Sequence, residues 1–363
     1  MVKVVLENLT KRFANTVAAD DISLTVEDEE FYVLLGPSGG GKSTLLNLIA
    51  GLEPPDAGHV YFDGQCVDGF PPEKRDVAMV FQSYALYPHM NIFDNIAFGL
   101  KMRKTPRDEI KTSVKEAAAM LGISGFLERK PHQLSGGERQ RVALARAIVR
   151  KPKVFLLDEP MSNVDAKLRV SMRVELIKLQ KALATTSIYV THDQIEAMTM
   201  ADRVAIIQQG KIRQIGDPIS IYEKPASMFV AGFIGTPPMN FLDCSLQSRS
   251  DGDWLEAGDF KLKLSHDVAE LVKKAASSSE LVLGIRPQFL SVHEKPVPGG
   301  VECEVYAVEH LGSENIVNLM VGGVLQKAVV PTAYHGRSGD KNWASLDDKY
   351  IHIIDKKTEN CIV

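Results

Sequence analysis

Gly36-Pro37-Ser38-Gly39-Gly40-Gly41-Lys42-Ser43-Thr44 has the residue types and spacing of a phosphate cradle, GxxxxGK[ST]. Glycines let the main chain wrap closely around an anion, and its amides and the following helix N-terminus supply donors. Lys42 adds a compact positive charge, and the Ser43 hydroxyl can ligate magnesium. Further on, Leu134-Ser135-Gly136-Gly137-Glu138 again sets small residues at a helix start. Ser135 there reads either as an ordinary N-cap or, with Gly136 and Gly137 leaving amides open, as part of a second anion-binding turn. One phosphate chain needs only one cradle, so two suggest a nucleotide held between two copies of the chain. Asp158 and Glu159 follow an apolar run, at the kind of strand end where open α/β sheets bind ligands. Asp158 can hold magnesium there, and Glu159 can orient or deprotonate an attacking water.

Such groups need a rigid sheet to hold them. Residues 2–6 and 22–26 alternate as half-exposed strands, whereas 31–35 and 154–157 are continuously apolar, like central parallel strands. Residues 187–191 and 203–208 extend that set. Leu45, Leu46, Leu48 and Ile49 mark one face of a helix over 42–50, directly after the glycine loop, and residues 138–151 read as a second helix. The pattern predicts an α/β domain with a partly parallel sheet. Breakers including Pro218, Pro225, Gly232 and Gly235 predict a boundary near Gly235, giving domains 1–235 and 236–363. In the latter, short apolar runs at 281–286, 301–308, 316–320, 324–330 and 350–354 predict an all-β barrel of the oligonucleotide/oligosaccharide-binding (OB) type.

The bulk composition narrows the partners. The 363 residues suffice for two domains, and a net charge of -4 from 42 basic and 46 acidic side chains offers no global attraction to nucleic acid. Cys66, Cys244, Cys303 and Cys361 are far apart, with no CxxC pair and no obvious His partner. Neither a zinc site nor a disulfide framework is expected, and a reducing cytoplasm fits best. The first ten residues lack a signal-type apolar run, which argues against export. No apolar stretch reaches bilayer length, so membrane association is expected only through a partner.

With these motifs in this order, residues 1–235 resemble the ATP-binding cassette (ABC) family, whose fold is a P-loop domain with a helical subdomain, here about 86–150. The resemblance implies ATP and Mg2+ as ligands. It implies that Ser38, Gly39, Gly40, Gly41, Lys42, Ser43 and Thr44 of one subunit hold the phosphates that Ser135, Gly136 and Gly137 of a second copy cap. Glu138 stands where Gln is commoner. By the same resemblance, Gln82 contacts magnesium and water, His192 contacts the γ-phosphate, and Asp165 lies in the loop crossing the dimer. Phe13 would stack under adenine, magnesium would be held by Ser43, Gln82 and Asp158, and catalysis would rest on Glu159, His192, Gln82 and Lys42.

Residues 83–90, 157–169 and 225–235 are similar to ATPases of maltose and multiple-sugar importers, and Met239-Asn240-Phe241-Leu242 to the start of their C-terminal OB-like (TOBE) regulatory domain. This implies a homodimer on the cytoplasmic face of the cell membrane. Its partners would be two transmembrane permease subunits, an extracytoplasmic solute-binding protein reached through them, and a regulatory protein at the C-terminal domain. Residues 84–88 are expected to expose an apolar-aromatic surface to a permease helix. Import of polyamine, glycerol phosphate, sulfate or iron is the alternative within the class, and a soluble ABC ATPase without a permease is the alternative outside it.

Overall fold

The computed structural model describes residues 2–363. It divides into two compact units, the first ending at Pro218 and the second spanning Ile219–Val363. Along the first unit run β1 (Val4–Phe13), β2 (Thr16–Val26), β3 (Phe31–Leu35), β4 (Ala57–Phe62), β5 (Gln65–Cys66), β6 (Val77–Val80), β7 (Val154–Asp158), β8 (Thr186–Thr191), β9 (Arg203–Gln208) and β10 (Lys211–Gly216). They form an antiparallel sheet ordered β2-β1-β4-β5 and a second sheet ordered β10-β9-β3-β8-β7-β6. In the second sheet every pairing is parallel except that of β10 with β9.

The central strands are covered on both faces: all five residues of β3, each apolar or aromatic, and all six of β8, among them Thr186, Ser187 and Thr191, are buried. Helix α1 (Lys42–Ala50) spans the residues its periodicity predicts, and it sinks Leu45, Leu46, Leu48 and Ile49 into a core shared by both sheets. Parallel strands connected through crossovers present their C-terminal ends along one edge. That edge therefore collects the loop after β3, Gln82 after β6, Asp158 and Glu159 at the end of β7, and His192 after β8.

Between β6 and β7 lie α2 (Ile92–Met102), α3 (Arg107–Met120) and α4 (Gly136–Ile148). Asn95, fully buried in α2, accepts from Tyr87 N–H and donates to carbonyls around it, pinning the segment that leads in from β6. After β7 come α5 (Ala166–Leu183) and α6 (Gln194–Met200).

The second unit is richer in strands than the sequence indicates. Residues 219–234, which the breaker pattern assigns to the first domain, belong to it as parts of α7 (Pro218–Glu223) and α8 (Met228–Phe233). Buried Arg286 donates to the carbonyls of Tyr222 and Ile234, and Met228 N–H to that of Glu359, so these helices are tied to residues far along the chain. The strands are β11 (Asn240–Arg249), β12 (Gly252–Ala257), β13 (Phe260–Lys263), β14 (Glu280–Ile285), β15 (Leu290–His293), β16 (Val301–His310), β17 (Asn315–Val321), β18 (Val324–Val330), β19 (Lys341–Leu346) and β20 (Ile351–Asp355). They build two antiparallel sheets, β13-β12-β11-β14-β20 and β15-β19-β16-β17-β18, with α9 (His266–Ala275) also present. Strands such as β12 and β19 are short and face water on one side, so their apolar content falls below the level that marks a strand in sequence.

Candidate nucleotide site

The loop after β3 is glycine-rich because there is no room for side chains. A Cβ on Gly36 would lie 2.0 Å from the carbonyl oxygen of Ile207 in β9, and one on Gly41, whose φ is 102°, equally close to that of Ala18 in β2. Ser38 and Gly39 remain exposed, Gly40 is buried and Thr44 is half-buried. Lys42 is 4% exposed, and its ammonium donates to the carbonyls of Gly36 and Pro37 at 2.8 Å each. Burial lowers its pKa, against the opposing pull of Glu159 and Asp158.

Ser43 Oγ donates to Asp158 Oδ1 at 2.8 Å, bringing together two oxygen ligands that the sequence separates widely. Burial raises the Asp158 pKa, and the Ser43 hydrogen bond partly offsets it. A hydroxyl and a carboxylate at the mouth of a phosphate-type loop make an all-oxygen donor set, which suits a hard cation such as magnesium.

One residue on, Glu159 sits at φ 43° on the turn leaving β7, its amide bonded to the carbonyl of Val190 in β8. The turn directs its carboxylate to two of the sequence-predicted partners at once. Gln82 Nε2 donates to Oε2 at 3.3 Å, and His192 Nδ1 lies 3.0 Å from Oε1. Asn163, which carries no motif signal of its own, donates to the Gln82 carbonyl and ties the 162–165 loop to the same cluster. Two acid-base groups and an amide thus converge beside the lysine and the Ser43–Asp158 pair.

Ser135 and Asp165 stand at helix starts. Ser135 caps α4, accepting from Glu138 N–H while Glu138 accepts from Ser135 N–H, so Glu138 completes a capping box. A Cβ on Gly137 would meet Leu168 Cδ2 of α5 at 2.1 Å, and one on Gly136 would come within 3.3 Å of the Asn163 carbonyl oxygen. A side chain at 137 would thus have to displace Leu168, a reason for glycine that capping alone does not supply. Asp165 caps α5 through Leu168 N–H. Ser135, Gly137 and Glu138 open onto a groove of 280 Å³, and among the described residues no hydrogen bond joins residues 36–44 to 135–138.

Residues 19–162 match the ABC transporter family, and residues 235–290 match the MalK OB fold domain. The trehalose/maltose import ATP-binding protein MalK of Thermococcus litoralis is 51% identical across the whole of both chains. This chain belongs to the ABC transporter family. The oligosaccharides import ATP-binding protein MsmX of Bacillus subtilis is 47% identical, covering 94% of each chain. The sn-glycerol-3-phosphate import ATP-binding protein UgpC of Psychromonas ingrahamii is 45% identical, covering 98% of this chain and 95% of its own. Among solved structures, the ATP-binding cassette MJ0796 in a dimeric post-hydrolysis state bound to ADP and Pi is 30% identical, with a TM-score of 0.54 over 59% of this chain and 98% of its own. This ABC protein is an ATP-binding ATPase.

Two surface features of the ABC protein differ from expectation. Tyr84 is 6% exposed and so is not part of an apolar surface over residues 84–88, and Arg146 holds that turn by donating to the carbonyls of Tyr84 and Ala85. The rest of that stretch contributes through Ala85 and Tyr87, which line a 720 Å³ groove with Leu52, Phe81, Phe98 and Met102. Cys66 does have a histidine neighbour: pairing of β4 with β5 puts His59, Cys66 and Asp68 on one face, with ligand atoms within 4.8 Å. Asp68 there accepts from Val60 N–H and Cys66 and lies 2.8 Å from His59 Nδ1, so the trio is a satisfied cross-strand network. Phe13 is 45% exposed, with Lys11 Nζ 5.3 Å from its ring centre.

Proposed function

We propose that this ABC protein is the ATP-hydrolysing subunit of a binding-protein-dependent importer, with sugars as cargo. It would work as a homodimer on the cytoplasmic face of a membrane, docked on two permease subunits. The observation that carries the reading is the division of the site into halves. The cradle and the Glu159 cluster share one sheet edge, while Ser135 and Gly137 open onto a groove of their own, as expected if each ATP is closed over by a second copy. Among the described residues no helix is long and apolar enough to cross a membrane, which leaves solute passage to a partner. The groove lined by Phe81, Tyr87, Phe98 and Met102 adjoins Gln82 in sequence and suits an apolar permease helix.

The residues then divide the work. Lys42 leaves the carbonyls of Gly36 and Pro37 for phosphate oxygens, the loop amides bind the rest, and Phe13 stacks on the base. Magnesium, held by Ser43, Asp158 and Gln82, would neutralise charge on the phosphates. Glu159 accepts a proton from water placed in line with the γ-phosphate, and His192 and Gln82 hold Glu159 and the water in register. Ser135 and Gly137 of the second copy, with Asp165 at the dimer crossing, seal the phosphates until hydrolysis releases them, so closure and reopening can drive the permease.

Sugar cargo is favoured by the full-length similarity to the trehalose/maltose protein; the similarity to the glycerol phosphate protein supports the second reading. The test is ATP hydrolysis by the complex reconstituted with its permease and binding protein. A di- or oligosaccharide is expected to stimulate turnover. Stimulation by glycerol phosphate or a polyamine, with none by sugars, would replace the cargo. Failure to associate with any permease would replace the transport reading.

A further inference from the structure

Glu196 is a buried carboxylate that the mechanism above does not use. It is 4% exposed on α6, and its Oε2 accepts from Tyr189 Oη at 2.8 Å and from Thr191 Oγ1 at 2.7 Å. Thr191 Oγ1 in turn accepts from Asp193 N–H at 2.9 Å. The chain Asp193 N–H, Thr191 hydroxyl, Glu196 carboxylate therefore fixes the residues on both sides of His192. Asp193 is held from two further directions. Its Oδ1 accepts from the amides of Ile195 and Glu196, and its Oδ2 lies 3.5 Å from Arg169 Nη1, while Arg169 Nη2 donates to the Val164 carbonyl beside Asp165.

The His192 side chain itself is 52% exposed, with Glu159 as its close partner. An exposed imidazole has little packing to aim it, so its direction is set by its backbone. Glu159 and Glu196 line one small cavity together with His192 and Arg169. Tyr189 and Thr191 are both buried, so a carboxylate that receives two hydroxyls there gains hydrogen bonds undiluted by water.

We infer that Glu196 is a positioning residue for His192, acting through Thr191 and Asp193 to hold the imidazole against Glu159. The inference rests on the reading of His192 as part of the hydrolytic site. Misplacement by about 1 Å in such a site costs on the order of 100-fold in rate. Loss of the carboxylate should therefore reduce kcat and leave ATP binding, made by the cradle, nearly intact.

The experiment is a double-mutant cycle on the full-length protein, reading kcat and KM for ATP together with the thermal midpoint. Glu196→Ala is expected to lower kcat by roughly 10- to 100-fold, with KM changed by about twofold or less. Glu196→Gln should restore most of the rate, because its amide oxygen still accepts from both hydroxyls. Thr191→Val, which breaks the chain while preserving shape, should reproduce the loss if Glu196→Ala does not fold. In a His192→Ala background, Glu196→Ala and Thr191→Val should cost about twofold or less further. Equal losses in both backgrounds would overturn the inference while leaving His192 in its role. Wild-type turnover in His192→Ala alone would remove that role, and a kcat loss that merely follows the unfolded fraction would make Glu196 structural.

Discussion

Both units of this ABC protein bury charge, and both anchor cations such as Lys42 and Arg75 to main-chain carbonyls, but their carboxylates are satisfied differently. In the second unit Arg286, 2% exposed and stacked 3.6 Å from the Tyr222 ring centre, donates to the carbonyls of Tyr222 and Ile234. Asp355 accepts from the amides of Ser277, Lys357 and Thr358 as well as two hydroxyls. In the first unit the carboxylates meet side chains borne on other elements: Ser43 with Asp158, Gln82 and His192 with Glu159, Tyr189 and Thr191 with Glu196. A side-chain partner can turn away to a ligand without breaking a strand or a cap. Carboxylates anchored to main-chain amides hold a fold together, and carboxylates anchored to side chains at a sheet edge can exchange partners during a reaction.

The largest test of that distinction is Glu159→Gln. Losing the base should cut kcat by about 10²- to 10⁴-fold while ATP still binds and the ATP-bound dimer accumulates, as read by single-turnover kinetics and size-exclusion chromatography. Turnover close to wild type would remove Glu159 from the chemistry. Arg286→Leu should have the converse profile. Stranding two buried carbonyls costs about 2–4 kcal/mol, which should appear in calorimetry as a drop of about 5–10 °C in the second unit's transition. ATP hydrolysis by the folded protein should stay within about twofold of wild type, since the charge serves the fold. A strong loss of hydrolysis without unfolding would blur the contrast between the units.

That contrast also separates what the sequence reveals from what it hides. Residues 36–44, Asp158 and Glu159 are legible because their chemistry depends on local spacing and on the end of an apolar strand. The predicted α1 range coincides with the helix for the same reason: its periodicity is local. Arg169 and Asn163 are hidden because their partners Asp193 and Gln82 lie on loops that the parallel pairing of β6, β7 and β8 brings together, and Glu196 is hidden because its spacing alone does not show that α6 turns its carboxylate back onto Tyr189 and Thr191 of β8. Gly137 shows both sides: its place after a cap is legible, whereas its contact with Leu168 depends on how α4 meets α5. Much of the second unit is hidden too, since strands such as β12 are short and half-exposed.

Two aspartates extend the comparison to pH, with opposite signs. Hydrogen bonds from Ser277 and Thr358 push the Asp355 pKa well below its ordinary 3.8, so ionised Asp355 stabilises the second unit above about pH 3.8. That contribution is lost as pH falls through the depressed value. Asp355→Asn should therefore lower the second unit's unfolding temperature at neutral pH, and the gap from wild type should narrow on acidification below about 3.8. A gap independent of pH would mean that shape, and not charge, holds that corner.

Asp158 should respond the other way and more weakly. Burial raises its pKa above 3.8, so the folded first unit binds the proton more tightly than the unfolded chain does, and ionisation opposes folding as pH rises through the raised value. Without nucleotide or magnesium, Asp158→Asn should raise the first unit's unfolding temperature at neutral pH by on the order of 2 °C, its amide oxygen still accepting from Ser43. The gain should vanish as pH falls toward about 3.8, where the wild-type carboxyl is already neutral. The same variant should lose magnesium-dependent hydrolysis, because the ionised oxygen that burdens the fold is the one proposed to meet the cation. If Asp158→Asn instead destabilised the free protein, the carboxylate would be serving the fold as Asp355 does, and the sheet edge would lose its claim to be a place where stability is given up for chemistry.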